Sequence, residues 1–339
     1  MTTFPGSAFS QRNRLIINNY FSSQAADRLH IDNISYDGDD HLVTYSEIDI
    51  PGTTLLEQVH YLQNYRDSIR TGLLGDVPTR CVDLIVPPKD SRAVAGYIIM
   101  ETMGYPPFSG SNSLATAYSL IQNGFVEKQE GRHSFLLECP AGLVEVTYQC
   151  DQGEVSLVSL SGQDVYLAHD GLELEICGQK LKIPVVYSGG FYLMIPARVS
   201  DRELQPVNYP DFIAIGKQAV EAARCLYSPQ HLQIGDVGPI AFANFMGDRT
   251  AAGHYVGATF VYPDVICYCP TGTGACAHTL IRYLAGEVQV GERVEVQSPI
   301  GSTMFIDILG ADRLQDRPRL QIRINGLPQA KEISIRDLP

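Results

Sequence analysis

Apolar positions recur with two periods along the chain, and the change from one to the other sets out its elements. Residues 53–73 predict a helix, because Leu55, Leu56, Val59, Leu62, Tyr65 and Ile69 fall at helical spacing and Gly75 fits its end. Residues 212–226 predict another, with Phe212, Ile215, Ala219, Ala222 and Leu226 on one face. Two shorter helices carry Leu114, Tyr118 and Ile121 ahead of Gly124, and Cys276, Leu280 and Tyr283 ahead of Gly286. Between them lie β-rich runs at 31–45, 81–86, 93–101, 133–138, 143–149, 155–160, 183–186, 241–245, 258–269, 293–297 and 303–309. Pro263 interrupts the run at 258–269.

Both short helices follow a strand and open on the same pattern. Ser109-Gly110-Ser111-Asn112-Ser113 begins one, and Thr271-Gly272-Thr273-Gly274-Ala275 begins the other. Gly124 and Gly286 stand equally far beyond the two hydroxyls, and the copies lie about half a chain length apart. This spacing predicts two related α/β halves, over 28–184 and 185–339, after an extension over 1–27; the last strand is free to return to the first half. A hydroxyl at such a turn can cap the helix, and a Ser-Gly or Thr-Gly turn alone says no more than that. Paired, the two helix starts offer free N–H groups to a carboxylate or phosphate.

Composition narrows the field. With 339 residues, 45% apolar and 19% charged, the chain can fill full cores. The formal charge of −13 argues against a nucleic-acid or anionic-membrane partner. No stretch approaches the roughly 18 apolar residues of a membrane span. The residues before Asp27 include Arg12 and Arg14 and no acid, a composition that a transit peptide shares. Eight scattered cysteines without a secretory signal read as reduced thiols in a cytoplasmic protein.

The two motifs resemble those of the proline racemase family, which includes proline racemases, 4-hydroxyproline epimerases and trans-3-hydroxyproline dehydratases. Cys269-Pro270-Thr271-Gly272-Thr273-Gly274 is similar to the family's Ser-Pro-Cys/Thr-Gly-Thr-Gly motif, and Phe108-Ser109-Gly110-Ser111 to its Met-Cys/Ser-Gly-His motif. Supporting matches are Pro140-Ala141-Gly142-Leu143-Val144, Ser188-Gly189-Gly190-Phe191-Tyr192 and Ser298-Pro299-Ile300-Gly301-Ser302. The resemblance implies an α/β (α+β) fold like that of diaminopimelate epimerase, two pseudo-symmetric halves with the site between them. It places Ser109 and Thr271 on opposite faces of a substrate α-carbon as the catalytic pair. It assigns substrate binding to Gly110, Ser111, Asn112, Cys267, Gly272 and Thr273.

Racemases of this family carry Cys at both catalytic places, and the dehydratases carry Thr at the second, so Thr271 points toward dehydration. Three departures weigh against a plain proline-type site. The family's His is Ser111 here, its Asp is Cys267, and its His-Thr-Gly-Gly-Glu-Pro stretch is replaced by Ser35-Tyr36-Asp37-Gly38-Asp39-Asp40. An alcohol is also a poor base without help, and no His or carboxylate adjoins Ser109 in sequence.

Asp248, in a Gly-Asp-Arg-Thr turn, and His254, after Gly253, are weaker candidates for roles at the same site. Cys267, Cys269 and Cys276 with His254 and His278 match no zinc spacing and read as buried thiols. Without a P-loop, a dinucleotide fingerprint or His-Glu-x-x-His, the chemistry expected needs no cofactor and no metal. The partner expected is a small-molecule carboxylate, and a homodimer is compatible with this reading. The leading activity is dehydration of a trans-3-hydroxyproline-like substrate. An epimerase on a changed substrate and a non-catalytic small-anion binder are the alternatives.

Overall fold

A computed structural model of the protein describes residues 28–36, 39–45 and 48–337; the 1–27 extension, Asp37 and Gly38 lie outside them. The continuous apolar runs have a direct cause, burial on both faces. In β3 (Cys81–Val86) and β4 (Ala95–Met100), side chains alternate between two cores. Val82, Leu84, Ile98 and Met100 face one, while Ile85, Tyr97 and Ile99 face the other. The first core is covered by α1 (Leu55–Tyr65) and α2 (Ser68–Leu74), through Leu55, Val59, Leu62, Ile69 and Leu73.

The single helix expected over 53–73 is therefore two. The break falls at Arg66 and Asp67. Arg70 grips the Asp67 carboxylate at 2.8 Å and donates to the carbonyls of Glu101 and Thr102, which ties α2 to the end of β4 and turns it away from α1.

A second cluster repeats this arrangement. The helix α4 (Tyr209–Leu226) shares one core, through Phe212, Ile215, Ala219, Val220 and Ala223, with β10 (Phe191–Pro196), β11 (Phe242–Arg249) and β12 (Tyr255–Val261). The strand expected over 258–269 starts earlier, at Tyr255, and ends at Val261 ahead of Pro263. Only Val265–Ile266 (β13) resumes pairing, which leaves Cys267 and Cys269 in a loop rather than on one strand face.

The remaining strands are β1 (Arg28–Tyr36), β2 (Asp39–Tyr45), β5 (Gly131–Cys139), β6 (Gly142–Asp151), β7 (Glu154–Ser161), β8 (Val165–Ile176), β9 (Gln179–Ser188), β14 (Arg293–Gln297), β15 (Thr303–Leu314), β16 (Arg317–Gly326) and β17 (Gln329–Asp337). The order of pairings occurs twice. From β1 it runs antiparallel to β2, parallel β2·β3, antiparallel β3·β4, parallel β4·β5, then antiparallel β5·β6 and β6·β7. From β9 it runs antiparallel to β10, parallel β10·β11, antiparallel β11·β12, parallel β12·β14, then antiparallel β14·β15 and β15·β16. β16 also pairs with β7 and β8, which links the two runs, and β17 returns to pair with β1.

The two motif helices, α3 (Gly110–Gln122) and α5 (Gly272–Leu284), share the central core. Leu114, Ala117, Leu120 and Ile121 of α3 and Ala275, Cys276 and Leu280 of α5 are all buried there. Among the described residues no helix is long and apolar enough to cross a membrane. The fold is α+β.

Candidate functional site

The two helices meet at their starts. A β-carbon on Gly110 would stand 2.8 Å from the Cα of Gly272, inside any real contact, so the two glycines let the helix ends touch. The first amides of each helix have no partner within it, and two such ends side by side favour an anion.

The hydroxyls that open the helices behave differently. Thr271 has φ of +57° and its Oγ1 accepts the Gly274 N–H at 3.0 Å, a helix cap. That oxygen also lies 3.0 Å from Thr259 Oγ1, whose own hydrogen can reach the carbonyl of Pro270 at 3.2 Å. When it does, Thr271 donates to Thr259, and both roles of the Thr271 hydroxyl are spent inside the protein. Ser109 has extended backbone and caps nothing. Its Oγ accepts from Asn112 Nδ2 at 2.8 Å, and the same nitrogen donates to Glu101 Oε1 at 2.8 Å. On the other side of that amide, His41 Nδ1 lies 3.1 Å from Asn112 Oδ1. Since the amide oxygen can only accept, Nδ1 carries the hydrogen, and Nε2, buried without a partner, is left with a lone pair.

Ser109 and Thr271 line one recess. Ser111, Thr273 and Cys267 line it too. Gly110, Asn112 and Gly272 do not reach its wall; Asn112 instead holds Ser109. Apolar walls come from Pro106, Phe108, Tyr192, Phe242 and Val261. The rest is polar, with Asp39, His41, Glu101, Thr79, Cys81 and Thr259. The weaker candidates lie elsewhere. Asp248 is exposed near the end of β11, and His254 Nδ1 is 2.5 Å from Glu295 Oε2. Neither lines the recess. Asp264 is exposed as well, so it does not stand in for the missing Asp.

Burial sets the charge states here. It pushes the Glu101 carboxyl up to about 7, with the nearby Asp39 adding to the effect and the Asn112 hydrogen bond opposing it. It holds His41 down at about 4, hence neutral. It raises the Cys81 and Cys267 thiols well above their ordinary range, so neither supplies a thiolate. The Asp39 carboxylate accepts the backbone N–H groups of Tyr268 and Cys269 at 3.3 and 3.2 Å, which ties the start of β2 to the loop that enters the Thr271 motif.

Sequence reasoning missed Glu101, His41, Thr259 and Tyr192 as site residues. A signal was present. Glu101, Thr259 and Tyr192 are polar or polar-tipped residues within or just beyond strand runs that are otherwise apolar, whereas His41 follows two acids, Asp39 and Asp40. What was missing was the pairing β2·β3·β4, which brings His41 and Glu101 to the same end of the sheet.

The fold is thus α+β, with two helix starts that meet beside one recess. The comparisons agree. The proline racemase family matches residues 39–334, and the chain belongs to that family. A relative from Marinobacter nauticus is 38% identical over 278 residues, covering 79% of each chain. A hydroxyproline epimerase from Agrobacterium vitis, solved with bound trans-4-hydroxy-L-proline, superposes with a TM-score of 0.87 at 24% identity, over 92% of this chain and 93% of its own. A probable proline racemase from Agrobacterium radiobacter K84, with bound carbonate, superposes at 0.85 and 24% identity, over 90% and 92%. These last two likenesses speak for the fold.

Proposed function

We propose that the protein is a cofactor-independent enzyme acting at the α-carbon of a small cyclic amino acid, and that it eliminates water from a trans-3-hydroxyproline-like substrate. The observation that carries this reading is the inequality of the two faces. On one, Ser109 stands beside a titratable carboxyl through Asn112. On the other, Thr271 is committed to Gly274 and Thr259, with no thiolate beside it. Epimerisation needs an acid and a base on opposite faces, whereas elimination needs one proton removed and one hydroxyl released. The amides of Ser111 and Thr273, which line the recess, would bind the substrate carboxylate and stabilise the enolate-like charge as it forms.

A second reading is an epimerase, favoured by the likeness to a hydroxyproline epimerase that binds trans-4-hydroxy-L-proline. NMR of proline, 3-hydroxyproline and 4-hydroxyproline isomers in heavy water with the protein separates the two. Loss of the α-proton with a new ketimine-derived product is the expected result. Deuterium incorporation with a changed diastereomer would instead establish the epimerase. Silence across the panel from folded protein would overturn both.

A further inference from the structure

Proton removal on the Ser109 face needs a group that is unprotonated near neutral pH, and the hydroxyl itself is not one. An aliphatic alcohol is far too weak an acid to stand as alkoxide without a base beside it, and Asn112, its neighbour, is not a base. The hydrogen bond also runs the wrong way for a base-activated serine. Asn112 Nδ2 donates into Ser109 Oγ at 2.8 Å, which leaves the serine hydrogen free to be given away. Glu101 Oε1 takes the other hydrogen of that nitrogen at 2.8 Å, so carboxyl and hydroxyl are near neighbours, and both line the recess.

We propose that Glu101 is the general base of the Ser109 face, and that Ser109 acts there as a hydrogen-bond donor to the substrate. The inference rests on the enzyme reading above and deepens it. In the step, the substrate Cα–H bond breaks, its electron pair passes into the substrate carboxylate group, and the proton forms an O–H bond on Glu101. The electrons then return to expel the β-hydroxyl, which takes the proton from Glu101 and leaves as water. Glu101 ends as a carboxylate, and no outside reactant is consumed. Asn112 holds both groups at fixed places, and His41 fixes Asn112 by binding its oxygen.

The charge environment suits this role. Facing Glu101 are Asp39 from the start of β2, His41 further along β2, Cys81 and Asp83 from β3, Cys267 from the loop after β13, and Tyr192 from β10. Arg70 donates to the Glu101 carbonyl and spends its charge on Asp67. Burial first, with the Asp39 charge adding to it, pushes the carboxyl up to about 7, where a base changes state at working pH.

The test compares wild type, Glu101→Gln and Ser109→Ala for α-proton exchange in heavy water across pH. A glutamine keeps the acceptor for Asn112, so it removes the base with little change of shape. Glu101→Gln should lose about 100-fold or more in exchange, with substrate affinity little changed. Ser109→Ala should lose about tenfold and keep the wild-type rise in rate through a midpoint near 7. Exchange abolished in Ser109→Ala but retained in Glu101→Gln, or a midpoint that persists in Glu101→Gln, would overturn the assignment. A second readout needs no turnover: the carboxyl carbon of Glu101 followed by NMR titration, identified by its absence from Glu101→Gln. A midpoint near 7, with the Asn112 side-chain amide shifting at the same pH, supports the inference. A midpoint in the ordinary carboxylate range refutes it even if the panel of substrates is silent, and panel silence by itself counts only against the enzyme reading.

Discussion

A β-carbon at Gly272 would meet the Cα of Gly110 at 2.9 Å, and one at Gly110 would also meet Ile324 Cδ1 at 2.9 Å. Neither glycine has a left-handed φ, so the requirement is the close approach of two backbones and not backbone freedom. Gly110→Ala and Gly272→Ala should each force the helix starts apart. The expected cost is about 1–3 kcal/mol in urea denaturation, together with a loss of α-proton exchange larger than the stability change explains. A tolerated alanine with unchanged exchange would mean that the paired amides do not form one site. The pairing of these two glycines was foreshadowed by their matching places in the repeated motif. That they touch was not legible, because residues so far apart in sequence are joined only by the closing of the sheet around them.

At the scale of the element, equivalent hydroxyls serve different ends. Thr271 caps α5, while Ser109 leaves α3 uncapped because its oxygen is taken by Asn112. The sequence marks both as cap candidates and cannot tell them apart, since the difference depends on which neighbours fold against each hydroxyl. Thr271→Val keeps the shape and removes the acceptor, leaving the Gly274 N–H without its partner. It should lower stability by about 1–2 kcal/mol by denaturant melts, whereas Thr271→Ser should stay near wild type. A valine variant as stable as wild type would remove the cap from the account of how α5 begins. Helix boundaries show the same dependence on tertiary contacts. The periodicity of 53–73 continues across Arg66 and Asp67, and it is the hold of Arg70 on the end of β4 that divides it.

For the molecule as a whole, buried titratable groups make stability depend on pH in opposing directions. His278, on α5 in the core, is held down at about 3 by burial, with the Arg282 charge adding to it, and His41 is held at about 4. The unfolded chain binds protons at these histidines near their ordinary value of 6.5 and the native one does not. Their contribution is therefore fully present above that value and is lost as pH falls toward the folded values. Glu101 works the other way: raised to about 7, it contributes below its ordinary value of 4.5 and loses that contribution as pH rises through 7. Thermal melts of wild type and His278→Gln should therefore converge as pH drops from about 8 to about 5, because only wild type gives up the histidine contribution. Curves that stay parallel would mean that His278 is protonated in the native state. The return of β17 to β1 and the joining of β7, β8 and β16 also belong to this scale. In β16 the buried Leu320, Ile322 and Ile324 alternate with polar positions, a strand period visible in the sequence, but which strands it joins is not.

The sequence by itself determined the α+β class, most strands and helices, the repeated motif and the family. These rest on local periodicity and on short contiguous patterns, which survive without knowledge of the fold. The contact between the two helix starts, the exclusion of Asp248 and His254 from the recess, and the gathering of Asp39, His41 and Glu101 around Ser109 were decided only by tertiary structure. These residues come from separate strands and loops, and a carboxyl's proton affinity or a hydroxyl's role is set by the burial and partners that pairing supplies. Ser109 has no acid or base beside it along the chain; Glu101 reaches it only through Asn112, one helical turn into α3.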